Sequence, residues 1–219
     1  MSTRIHRLGS RYSRTAITLH WLIALLICAN LWIGWWMVDA IKDTTKQAVA
    51  FQAFQLHKSL GVTVLLLSLL RLMWRLFHKP PALPAAMSRF EKAAARAAHV
   101  CFYLVMIGLS LSGWIYVSSG WNSDMATPFE VPTIVFGLVE WPHIARLATL
   151  SNHARALVAD ISISAHALLA SGTLGLLALH ILAALKHHFK DRDDVLVSML
   201  PLLVPRRAKL PTINENEAS

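Results

Sequence analysis

Four histidines lie where ionisable side chains are rare, inside long apolar stretches of a 219-residue chain that carries eleven histidines in all. His20 lies in TAITLHWLIALLICAN, His57 at the head of LHKSLGVTVLLLSLL, and His166 and His180 in SAHALLASGTLGLLALHILAAL. Ionisable residues in such stretches are functional-site hypotheses by default, because burying one without a partner is costly. His166 and His180 are 14 residues apart. That spacing is about 40° short of four full helical turns, so both rings share one helix face about 21 Å apart along its axis. Depth pairs His20 with His180 and His57 with His166, each pair drawn from two helices. This is the ligand arrangement for two stacked haems, and bis-imidazole ligation favours electron transfer over oxygen binding. Histidines bonded across helices for packing are the bland alternative, but four at matched depths with one in-phase pair argue against it. Zinc fits worse, since the two depths cannot share one ion and no cysteine or carboxylate accompanies either pair.

Arg71 is 14 residues beyond His57 and so faces the same interior at the other end of its helix. A guanidinium there would suit a haem propionate; snorkelling to the interface is its alternative. Arg14, six residues before His20, is a weaker candidate of the same kind. His99 enters the third apolar stretch at the depth of His20 and competes as a ligand, although a bond to a propionate or simple packing suits it better. His6, His78, His187 and His188 read as interfacial, and His143 and His153 as solvated. Gly34, Gly61 and Gly113 either admit a close approach or serve helix packing. Cys28 and Cys101 cannot build a disulfide framework or a four-thiolate cluster.

The elements that must position these residues follow from composition. Hydrophobic residues make up 55% of the chain, charged residues 15%, and the mean hydropathy is +0.48. Ordinary soluble domains carry about 25% charged residues, so a water-soluble enzyme is excluded, and so is intrinsic disorder. Four stretches meet the length of about 20 apolar residues that a membrane span needs, at residues 15–38, 54–77, 97–117 and 162–185. The fold class expected is an all-α membrane protein, a four-transmembrane-helix bundle holding two stacked b haems. One domain covers residues 1–205, followed by a polar tail at 206–219. The first stretch is too long for a signal-peptide core and no small-x-small site follows it, so it reads as a retained helix.

Sixteen of the 21 basic residues fall on the side holding both termini and the link between the second and third spans. Five fall on the other side, whereas the twelve acidic residues divide equally. The positive-inside rule then places both termini in the cytoplasm, and the net charge of +9 is a topology signal with no nucleic-acid partner implied. Residues 79–87 form a Pro-rich link. Residues 118–161 form a long outer loop containing SSGWNS, the apolar run VPTIVFGLV and WPH, and a loop of that length is often functional. Tryptophans near both ends of the spans make an interfacial belt.

RYSRTAITLHW, LHKSLGVTVLLLSLLRLMWR and SAHALLASGTLGLLALHILAALKHHFKDRDDVLVSMLP together resemble the prokaryotic cytochrome b561 family, in four-helix order over residues 11–201. The most specific parts are the early His-Trp, the His-to-Arg spacing of 14, and the closing HALL…LHILAALKHHF…MLP. The resemblance implies a multi-pass protein of the bacterial inner membrane with two b haems, held by His20 with His180 and His57 with His166. It implies electron transfer between a periplasmic-side donor and membrane quinone, since the family includes a superoxide oxidase that reduces ubiquinone. Related di-haem cytochromes are membrane subunits for periplasmic hydrogenases or dehydrogenases, which is the alternative expectation; a non-redox membrane protein is a third. The outer loop is longer than in compact members of the family. Lys58, Arg146 and Arg155 are the outer cations that could draw an anion such as superoxide.

Overall fold

Serines start three of the four long helices. Ser13 accepts from the Ala16 N–H ahead of α1 (Arg14–Ala40), and Ser151 accepts from the Ala154 N–H ahead of α5 (Asn152–Lys186). Ser88 and Glu91 form a reciprocal capping box at the head of α3 (Arg89–Ser119), satisfying N–H groups that the helix itself leaves unpaired. The remaining long helix is α2 (Gln47–Phe77). Gly120 ends α3 in the left-handed conformation that glycine adopts without strain. The computed structural model describes residues 12–84, 86–121 and 131–200. Arg4, Arg7, Arg11, His6 and the polar tail at 206–219 lie outside the described residues.

The described chain is mostly helical, and its four long helices are each long and apolar enough to cross a membrane. Three extend past the apolar stretches that define the spans. α2 begins at Gln47 rather than near 54, α3 at Arg89 rather than near 97, and α5 at Asn152 rather than near 162. The extra turns, such as RFEKAAAR, are rich in Ala and long charged side chains, which favour helix but not lipid. Within the long loop, β1 (Thr133–Val135) and β2 (Val139–Trp141) pair antiparallel, with Val135 opposite Val139. Phe136 and Gly137 turn the chain with φ of 50° and 73°, the two left-handed residues of a tight hairpin turn. A short helix, α4 (Ala145–Ala148), leads to α5. The all-α expectation therefore needs this one amendment; the β-branched run Thr133–Val135 before a Phe-Gly turn, with Val139 beyond it, accounts for it.

α1 packs along α2, and α3 along α5, while α2 closes on α3. The α2–α3 seam uses small polar residues: Ser110 donates to the Gly61 carbonyl at 3.0 Å, and Ser68 meets Met106 Sδ at 3.7 Å. Such contacts substitute for a hydrophobic driving force in lipid. Neither α1 nor α2 packs closely on α5. The bundle is thus two helix pairs joined along one seam, with a cleft between the α1–α2 wall and the α5 wall. Large apolar side chains such as Leu25, Trp32 and Leu168 face outward, as a lipid environment requires.

At the tail end, Lys186 pairs with Glu91 and Asp191, tying α5 to α3. A π-helical turn (His187–Asp191) then ends α5. His187, which reads as interfacial from sequence, is buried there, its Nδ1 2.8 Å from Asp193 and 3.1 Å from Asp191. The chain beyond folds back, and the Met199 carbonyl accepts from Trp21 Nε1 at 2.7 Å.

Candidate cofactor site

The histidines meet across the cleft. His57 on α2 and His166 on α5 have ring centroids 6.0 Å apart, and His20 on α1 and His180 on α5 are 6.2 Å apart. A metal about 2 Å from each of two opposed imidazole nitrogens sets the ring centroids about 6 Å apart. Both separations therefore match a bridging metal at each of two levels.

The pair nearer the hairpin is oriented by one device used twice. His57 Nδ1 lies 3.1 Å from the Asn30 carbonyl, and His166 Nδ1 lies 3.0 Å from the Leu109 carbonyl and 3.2 Å from Ser112 Oγ. Bonding Nδ1–H to a carbonyl leaves Nε2 with its lone pair free, the tautomer that binds a metal. Four residues after each carbonyl stands a glycine. A Cβ at Gly34 would come within 3.1 Å of the His57 ring, and one at Gly113 within 3.2 Å of the His166 ring. Bare backbone at those two points lets each imidazole lie against the neighbouring helix.

The consequence is testable. Gly34→Val and Gly113→Val should each displace a ring and lower cofactor content, with the same spectral component lost in both. At Gly61 a Cβ meets Asn30 only at ordinary contact distance, 3.8 Å, but it borders the cavity itself, so Gly61→Ala should leave both rings in place and change the spectrum only through the cofactor. Cofactor content per chain and the difference spectrum check all three.

Around this pair lies a cavity of about 440 Å³ with walls from all four long helices, within the usual size range of ligand sites. Thr133 and Trp141 of the hairpin and Lys58 also line it. Trp141 Nε1 and Asn30 Oδ1 are buried there with no hydrogen-bond partner among the described residues. An apolar cavity with an unpaired donor, an unpaired acceptor and two opposed imidazoles fits a haem. The asparagine is the sort of residue a sequence reading can flag, a lone amide inside an apolar span. Trp141 carries no such signal, because only the hairpin brings it to the cavity.

At the other level three histidines converge. His99 on α3 is 6.5 Å from His180, ring to ring, and its Nδ1 lies 2.6 Å from the carbonyl of Ala95 in its own helix. His20 Nδ1 is buried without a hydrogen-bond partner among the described residues. Phe102 packs edge-on to His180 at 5.2 Å. A second cavity of about 240 Å³ opens beside them, lined by Tyr12, Arg71, Arg75, Lys79, His99 and Tyr103 among others. Arg71 is half-buried with its guanidinium 6.0 Å from the Tyr103 ring, and no carboxylate pairs with it among the described residues. Burial raises the Tyr12 hydroxyl above its ordinary pKa, against the opposing pull of Arg75 and Arg71, so the phenol stays protonated. Arg14 is exposed and does not line this cavity. His78 stacks on Trp74 with centroids 3.8 Å apart, and His153 is exposed.

A profile of prokaryotic cytochrome b561 matches residues 11–202. The chain belongs to that family. It is 31% identical over 190 residues to cytochrome b561 homolog 2 of Escherichia coli (strain K12), covering 87% of this chain and 91% of that one. It is 27% identical over 194 residues to the probable superoxide oxidase CybB of Yersinia pestis, covering 87% and 96%. Cytochrome b561 homolog 1 of Escherichia coli (strain K12) is 24% identical over 196 residues, with 88% and 98% covered. Membership of the cytochrome b561 family implies b-type haem, and the histidine cleft is a site whose donor set suits it. Four apolar helices together with these bacterial relatives make the protein an integral inner-membrane cytochrome.

Proposed function

We propose that this protein is a di-haem membrane cytochrome that carries electrons between superoxide on the periplasmic side and ubiquinone in the bilayer. The observation that carries this reading is the pair of imidazole bridges, 6.0 and 6.2 Å between centroids, set 14 residues apart along α5. His57 with His166 would hold one b haem, and His20 with His180 the other. Haem so ligated supplies reversible one-electron chemistry with no open position for oxygen.

The walls of the cleft support the pairing at the lower level. His20 and His57 stand on the α1–α2 wall, and His166 and His180 on the α5 wall. His99 stands on α3, which packs directly on α5. His99 and His180 are thus neighbours on one side of the cleft, with no slot between their helices for a flat macrocycle. His99→Ala should leave both haems low-spin, while His20→Ala and His180→Ala should disturb one and the same haem. An axial role for His99 would instead appear as a high-spin or missing component in the His99→Ala spectrum.

Arg71, with no acidic partner among the described residues, is placed to hold a carboxylate of the haem between His20 and His180. Arg14, exposed at the start of α1, would reach one only from outside the cavity. The basic residues concentrated at the ends carrying both termini favour a cytoplasmic location for those ends, which puts the hairpin in the periplasm. Lys58 is buried against the hairpin-side cavity with its Nζ 2.9 Å from the Pro132 carbonyl, a cation that an anionic donor reaching the cavity would meet.

The test combines a reduced-minus-oxidised spectrum with haem stoichiometry, then reduction of a ubiquinone analogue by the purified protein supplied with superoxide. Two haems per chain and superoxide-dependent quinone reduction are the expected results. Two haems without that activity would instead make the chain an electron-transfer subunit for a periplasmic redox protein.

A further inference from the structure

The hairpin β1–β2 is pinned to the side of α2 at a depth that its own hydrogen bonds define. The Pro132 carbonyl accepts from Gln55 Nε2 at 3.1 Å and from Lys58 Nζ at 2.9 Å. Farther along the strand, the Phe136 N–H donates to Ser59 Oγ at 3.0 Å, and Ser59 Oγ also lies 3.4 Å from the Ile134 carbonyl. β1 therefore descends beside α2 in the direction in which α2 enters its most apolar stretch. Its turn lies at or below the level of Ser59.

That level can be placed against the bilayer. His57 lies against Gly34, and the next residues of α1 are Trp35 and Trp36, both exposed. Exposed tryptophans at a helix end mark the membrane–water interface. From Leu60 onward α2 reads LGVTVLLLSLL, without a charge until Arg71. The turn of the hairpin thus sits at the boundary where headgroups give way to acyl chains.

Its side chains suit that location and no aqueous one. Leu138 is 84% exposed, Val139 64%, Phe136 51% and Ile134 40%, around Gly137, with no charged residue in the turn. Glu140, the charge of the hairpin, is opposite Ile134 and so farther up the strands. At the end of the hairpin away from the turn, the paired residues Thr133 and Trp141 cover the cavity beside His57 and His166. Phe136 also holds a positive φ of 50°, unfavourable for a bulky side chain, and that conformation keeps the turn tight with its apolar residues outermost.

We propose that residues 136–139 are a membrane-interface anchor, inserted in the periplasmic leaflet, that holds the hairpin down as the cover of the His57–His166 cavity. Apolar side chains at this boundary gain by leaving water, and the pinned strand spares the turn most of the ordering cost. The inference needs the membrane placement of the helices and, for the leaflet it names, the cytoplasmic termini of the proposed function. It stands whether or not superoxide is the donor.

The experiment is site-directed nitroxide labelling of the full-length cytochrome, with Cys28 and Cys101 replaced by alanine, in nanodiscs of phosphatidylethanolamine and phosphatidylglycerol. Leu138→Cys and Val139→Cys carry the probes. Leu25→Cys, mid-span and outward-facing, is the lipid reference; Thr44→Cys, in the exposed α1–α2 connection, is the water reference. Collision rates with oxygen and with a neutral nickel chelate are compared, and an unchanged haem spectrum establishes that each variant is folded. The ratio of oxygen to nickel collisions at 138 and 139 should rise clearly above the Thr44 value, to a level between it and the mid-span Leu25 value. A ratio at the Thr44 value would place the turn in water and overturn the proposal. Protection from both reagents would also overturn it, by showing that protein rather than lipid covers the turn.

Discussion

Replacing His57 with alanine should halve the haem content, from two b haems per chain to one, and His166→Ala should remove the same haem. The two rings lie 6.0 Å apart on opposite walls of one cleft, so on the proposed reading both would hold one common haem. With either removed, the remaining imidazole, still bonded through Nδ1 to a carbonyl, would hold the group from one side only. The double variant should then lose no more than either single one, as expected of residues that act as a unit. Haem extraction against protein concentration, with the low-temperature difference spectrum, provides the readout. Loss of different spectral components in the two variants would mean that His57 and His166 serve different haems, and the pairing would fail.

The second large effect concerns where electrons enter. In His57→Ala protein that retains the haem between His20 and His180, reduction by superoxide in stopped flow should fall to the rate of the uncatalysed background. The reason is distance: the two histidine levels are about 21 Å apart along α5, and a donor arriving on the hairpin side meets only the His57–His166 level. Superoxide is generated outside sealed vesicles in which the hairpin faces outward; dithionite added after detergent has opened both faces should still reduce the remaining haem, showing that the site itself is intact. Unimpaired reduction by superoxide would place electron entry at the tail end and leave a cytochrome facing the other way or dependent on a partner.

How much of this was legible before any coordinates differs from residue to residue. Hydropathy located the four spans because a lipid-crossing segment must be apolar over about 20 residues. It missed the first turns of α2, α3 and α5 because it measures solubility in lipid rather than helix formation; the Ser88–Glu91 capping box was a local signal that would have found one of them. The hairpin was hidden within an apolar run that a helix-oriented reading leaves as loop. His187 read as a boundary residue because its burial depends on Asp193, six residues on, returning across a π-helical turn.

The chain by itself determined which histidines could act and at what depth, because helical rise and periodicity are set by covalent geometry and by hydrogen bonds within each helix. The 14-residue interval between His166 and His180 is of that kind, and it puts both rings on one face whatever surrounds them. Depth pairs His20 with His180 and His57 with His166, but only the tertiary structure decided how His99, at the same depth as His20, stands relative to His180. The packing of α3 on α5 sets His99 and His180 side by side, while the open cleft between α5 and the α1–α2 pair sets His20 and His57 opposite their partners. The same packing turned Gly34 and Gly113 from generic small residues into the two surfaces on which imidazoles rest. Such contacts join residues distant in the chain, and they arise from how whole helix faces fit one another in a solvent that offers the backbone no hydrogen bonds.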